Sequence, residues 1–155
     1  MADESLPQLA RALAGKELIG TLCTLSRRHP GYPFGSVMPY ALDARGRPIF
    51  LVSTLAMHTK NLLEDPKASL MVAEPAPAEQ ALVAARVTLV GEVREVDDAS
   101  VRERYLARHP DAQQWVDFGD FSFFRLDILD IYYVGGFGVM GWVPPPDYSS
   151  AGEDS

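Results

Sequence analysis

Apolar positions first recur at helical spacing in "SLPQLARALAG". There Leu6, Leu9, Ala10 and Leu13 share a face and Gly15 supplies a C-terminal stop, which predicts a short helix. The period then shortens. "ELIGTLCTLS" is apolar and partly β-branched, as a strand should be, and "RRHPGYPFG" after it is dense in turn residues. "SVMPYALD" and "RPIFLVS" flank "DARG", which predicts a hairpin over residues 36–53. From Leu55 to Leu63 the spacing is helical again, and "EDP" ends that helix ahead of a further strand, "ASLMVAE". Beyond the connection "PAPAEQ", "ARVTLVGEVREV" sets Val87, Leu89 and Val93 on one face and Arg86, Thr88, Glu92 and Arg94 on the other. Gly91 interrupts this half-buried strand where a bulge or a close backbone approach is expected. "DDASVRERYLARHP" reads as a capped helix and "FSFFRLDILDIYYV" as a long closing strand. The pattern predicts a mainly β fold with helical additions, six β-runs forming a closed or nearly closed antiparallel barrel. One domain is expected over residues 1–142, and the proline-led residues 143–155 are expected to form a flexible tail.

Composition narrows this picture. A chain of 155 residues, 47% hydrophobic, suffices for one core that buries roughly 70% of its extended surface. No run approaches the ~20 apolar residues of a membrane helix. The acidic start lacks a secretory pattern, so no membrane role and a cytoplasmic location are expected. Cys23 is the only cysteine, which excludes an internal disulfide and a thiol pair for zinc. A net charge of −7 argues against nucleic acid as a partner. The charge is uneven, with residues 1–72 at net +2 and residues 73–155 at −9. A small anion such as a phosphate ester would suit the more basic half.

Familiar catalytic signatures are absent: no glycine-rich dinucleotide or phosphate loop, no nucleophile elbow, no H-E-x-x-H. His29, His58 and His109 lack partners at ligand spacing, so no metal site is expected. His29 and His109 read as solvated loop or helix-end residues, and Cys23 as a small core residue. "STLAMHTKNL", residues 53–62, is different. A strand ending in Ser53 and Thr54 and turning into a helix presents hydroxyls and free backbone N–H groups together, a combination that binds anions. His58 and Asn61 lie one turn apart on that helix. The alternative is an N-cap by Ser53 or Thr54 with exposed polar residues beyond it. The glycines of "VGGFGVMGW" permit either a turn or close backbone approach to a planar ligand.

The order of "GYPFGSVMPYALDARGRPIFLVSTLAMHTKNLLEDPKASLMV", "ARVTLVGEVREV", "RYLARHP" and "DFSFFRLDILDIYYVGGFG" resembles the pyridoxamine 5'-phosphate oxidase-like FMN-binding split-barrel family, closest to its haem-utilisation oxygenase-related branch. The resemblance implies a six-stranded split β-barrel that forms a homodimer with FMN in clefts at the subunit interface. It implies an FMN-dependent oxidoreductase of unknown substrate, or a non-catalytic module binding flavin or haem. It assigns cofactor contacts to Ser36, Ser53, Thr54, His58, Thr59, Asn61 and Arg86, the last reaching the flavin from the neighbouring subunit, and names no catalytic residue. The chain departs from the vitamin-oxidising members, which carry an Arg-Lys pair where Met57 and His58 stand here. They also carry further basic residues on the strand that here runs from Gly35 to Tyr40. Vitamin B6 oxidation is therefore not expected.

Overall fold

The structure, a computed structural model, describes residues 5–152. Helix α1 (Leu6–Lys16) begins with a capping box, Ser5 and Gln8 satisfying each other's backbone N–H groups, and Pro7 occupies the first turn, where its missing donor costs nothing. The orphan carbonyls at its other end are taken by Arg108, whose Nη2 donates to Gly15 O at 2.7 Å and Lys16 O at 2.8 Å. The strands that follow are β1 (Ile19–Leu25), β2 (Pro33–Pro39), β3 (Ala41–Leu42) and β4 (Pro48–Ser53). Then come α2 (Met57–Glu64), β5 (Lys67–Ala73), β6 (Arg86–Glu95), α3 (Ala99–Arg108), β7 (Phe121–Val134), β8 (Met140–Val143) and α4 (Pro145–Ser150).

All pairings are antiparallel, in the order β2-β1-β5-β6-β7-β4-β3, with β8 also on β7. The sheet curls into a half-barrel. Its concave face carries Leu22, Leu70, Leu89 and Ile131, all fully buried and directly paired across four strands, and α1 lays Ala10, Leu13 and Ala14 into the opening. Every side chain on the first five positions of β4 is buried, because the strand's other face packs Ile49 and Leu51 against Val101 and Tyr105 of α3.

Gly91 behaves as its place in the pattern requires. The register between β6 and β7 slips there, leaving Leu129 as the extra residue on β7, and a Cβ on Gly91 would meet Asp127 O at 2.0 Å.

Three expectations need correction. The hairpin over 36–53 is confined to Ala41–Leu42 against β4, because β2 pairs with β1 along its whole length. Pro39 has no N–H for a ladder, so the chain turns there and Tyr40 N bonds Leu18 O instead. Residues 143–152 are not a tail. Val143 and Tyr148 are buried, and the Tyr148 hydroxyl donates to Gly46 O at 2.7 Å, while residues 153–155 lie outside the described residues. Prolines at the start of α4 open that helix instead of preventing it. Finally, Cys23 is half-buried on the convex face, since the adjacent Leu22 and Thr24 occupy the concave one. Among the described residues no helix is long and apolar enough to cross a membrane.

Candidate functional site at the start of helix α2 and the convex sheet face

Strand β4 leaves the sheet at Ser53 and re-enters order as α2 four residues later. The connection is tied to the loop before β7: Thr54 N donates to Asp120 O at 2.7 Å, and the Ser53 hydroxyl donates to Asp120 Oδ2 at 2.9 Å. Ser53 Oγ in turn accepts from Leu55 N at 3.1 Å. Neither Ser53 nor Thr54 is the cap of α2. That position is Ala56, which offers no side-chain acceptor, so the first-turn N–H groups have none from their cap.

Beyond the cap the polar residues separate. Thr54 is exposed and His58 half-buried, with desolvation holding the imidazole below its ordinary pKa and hence uncharged at neutral pH. Thr59 is fully buried, and its Oγ1 has no hydrogen-bond partner. Asn61, also fully buried, is committed to the fold: Nδ2 donates to Thr24 Oγ1 at 3.0 Å and Oδ1 accepts from Arg27 N at 2.9 Å, pinning α2 to the end of β1.

Ser36 and Arg86 are not brought to this corner within one chain. Ser36, half-buried on β2, pairs with Leu22 on the opposite flank of the sheet order from β4. Ser53 pairs with Phe121 and Arg86 with Val134, the two ends of β7, separated by about 40 Å of extended strand. Arg86 Nη1 donates to Leu82 O at 3.2 Å and to Ala84 O at 3.4 Å.

Sequence reasoning missed two features. One is Asp120, which stands 67 positions from the serine it binds, with no local signal to connect them. The other is a lateral row on the convex face, Val37–Thr21–Met71–Thr88–Tyr132–Trp142, formed by direct pairing of six strands and free of charge. Its ends are open, Val37 being 78% and Trp142 63% exposed. The Tyr132 and Trp142 rings meet edge to face with centroids 4.9 Å apart. Next to Thr88 of the row, Cys23, Lys67, Ser69 and Val90 line a shallow groove of about 300 Å³. The signal for this surface lay in β1, where "LIGTLCTL" lacks the polar alternation of a strand with one wet face. Among the described residues no three His, Cys, Asp or Glu side chains converge to hold a metal ion.

Residues 2–150 match the family described as CREG, β-barrel. Over 129 residues the chain is 46% identical to the noncanonical heme oxygenase HOZ, chloroplastic, of Arabidopsis thaliana. That alignment covers 81% of this chain and 39% of the plant protein, so the chain spans about two-fifths of the relative's length. The heme binding protein from Mycobacterium smegmatis superposes with a TM-score of 0.88 at 31% identity, over 97% of this chain and 62% of that one. A protein of Listeria innocua, provisionally assigned as a pyridoxamine 5'-phosphate oxidase, superposes with a TM-score of 0.68 at 15% identity, over 85% of this chain and 100% of its own. At that identity the likeness is one of fold, and the split-barrel architecture expected from the sequence is the one observed.

Proposed function

The chain belongs to the CREG β-barrel family, and on that footing we propose that it binds haem, in a seam where the convex faces of two copies meet. The observation that carries this reading is the uncharged row across six strands, open at Val37 and Trp142 and wide enough for a flat macrocycle. The haem-related names of the plant and mycobacterial relatives support it.

The residues on that face suit the group. Cys23, Met71 and Tyr132 carry the sulfur and oxygen donors that haem iron accepts, and Tyr132 with Trp142 offers an aromatic edge to the ring. Lys67 and Arg86 pair at opposite ends of the β5–β6 ladder, so either one could supply a cation for the edge of the ring that carries its acidic substituents. Bound haem would bring iron able to take up a further ligand such as dioxygen. The protein's part is to hold the ring flat, exclude water and set the iron's protein ligand. Titration of the purified protein with hemin is expected to give a saturable, red-shifted Soret band together with a dimer in sedimentation. A linear titration without a spectral shift would remove this reading.

FMN at the α2 corner is the second reading, an FMN-dependent oxidoreductase of unknown substrate. The buried, unpartnered Thr59 hydroxyl in the first turn of a helix favours it. Thr54, His58 and Thr59 would then face the phosphate, with Ser36 and the Arg86 of a second copy nearer the ring. Ser53 and Asn61 would contribute only by giving up the hydrogen bonds they make. A flavin spectrum that NAD(P)H bleaches and oxygen restores is the outcome that would prefer it.

A further inference from the structure

We propose that Asp120 is a specificity determinant that turns phosphorylated ligands away from the α2 corner. The inference rests on the reading that the ring bound by this protein is haem and not FMN.

A phosphomonoester offers only acceptor oxygens and negative charge. A site for it must therefore present hydrogen-bond donors and positive potential. The α2 corner has the outline of such a site, with uncapped first-turn N–H groups and the orphan Thr59 hydroxyl. Its remaining chemistry points the other way. The Ser53 hydroxyl has its proton on the Asp120 carboxylate, so toward the corner it can show only lone pairs. The Leu55 N–H is spent on Ser53 Oγ and the Thr54 N–H on the Asp120 carbonyl. Two backbone donors and one hydroxyl donor of a phosphate cradle are thus consumed by one serine–aspartate unit. Asp120 also brings a carboxylate to the connection that leads into α2, so the fold places its own negative charge on the approach to a helix start that would favour an anion.

Lys60 is the one cation in residues 53–62, and no ion pair joins it or any other described residue to the Asp120 carboxylate. His58 is held neutral by burial, and the ion pair at the far end of α2 joins Arg27 to Glu64, more than one helical turn away. A dianion entering here meets a like charge and loses three of the donors the corner could have offered, whereas an uncharged ribityl chain or an apolar ring meets no such repulsion.

The test compares FMN with riboflavin, which differ only in the phosphate, by flavin fluorescence quenching on the wild-type protein and on Asp120→Asn. The asparagine keeps the size of the side chain, an acceptor for Ser53 and the main-chain bond from Thr54. Wild type is expected to bind riboflavin at least as tightly as FMN. Asp120→Asn should tighten FMN about tenfold or more while moving riboflavin less than about twofold. Ser53→Ala, which leaves the carboxylate in place, should not restore FMN. An unchanged FMN-to-riboflavin ratio in Asp120→Asn overturns the proposal, as does tight FMN binding by wild type, or no flavin binding by either protein. A hemin titration of the same samples separates the two ideas. Loss of the Soret signal in wild type sinks the haem reading, whereas the flavin ratio alone decides the role of Asp120. Circular dichroism confirms that each variant is folded.

Discussion

Single side chains in this protein answer to burial more than to their place in a motif. Asn61 was legible as part of a polar cluster, yet what it does depends on Thr24 and the Arg27 backbone, which only the folded chain brings to it. Asn61→Ala leaves the Thr24 hydroxyl with only its 3.4 Å bond to Phe34 O and takes the acceptor from the half-buried Arg27 N–H, and is expected to cost about 1–3 kcal/mol, read from the midpoint of urea unfolding. His58 is the titrating member of the cluster. Its folded pKa lies below the ordinary 6.5, so near that pH the unfolded chain binds more protons than the folded one. Stability should hold above about pH 6.5 and fall as the pH drops below it. Thermal melts of His58→Gln across pH 7.5 to 5 should show a shallower decline than wild type, and parallel curves would refute the assignment.

Elements announced themselves wherever one segment's own period decided the outcome. The helices α1, α2 and α3 and the strands β1, β5, β6 and β7 follow apolar spacing, and the interruption at Gly91 was visible as a break in it. What stayed hidden was pairing and docking. Nothing in "SVMPYALD" tells which of two neighbours it will join, and a helix opened by three prolines looks like a linker until Tyr148 is seen inserted beside Arg11 and Gly46. Two substitutions probe this scale. Gly91→Ala forces a methyl group into the Asp127 carbonyl and should destabilise by about 3 kcal/mol or more in equilibrium unfolding. Tyr148→Ala empties a buried ring site and removes the bond to Gly46, for an expected loss of about 3–5 kcal/mol. A loss below about 1 kcal/mol would return residues 143–152 to the status of a tail.

For the molecule as a whole, the fold class was readable and the surface was not. Strand count and hairpin spacing specify a barrel, but which outward residues line up depends on register across six strands, and register is not written in any one of them. The row from Val37 to Trp142 makes a prediction about assembly. Met71→Asp places a charge at its middle, and in a seam between two copies that charge would be buried without a partner. Sedimentation should show the variant dissociating at concentrations at least 100-fold higher than wild type, with the hemin Soret signal weakened in step. A variant that assembles and binds hemin normally would place both the seam and the ring elsewhere.

Strand β7 borders β6, β4 and β8, so three separate parts of the sheet hydrogen-bond to one late segment of the polypeptide. During synthesis, β4 and β6 must therefore wait as open edges until residues 121–134 have left the ribosome. Cellular production of this barrel should accordingly depend on chaperones that shield nascent β-edges, and truncation upstream of β7 should yield aggregate instead of a smaller soluble domain.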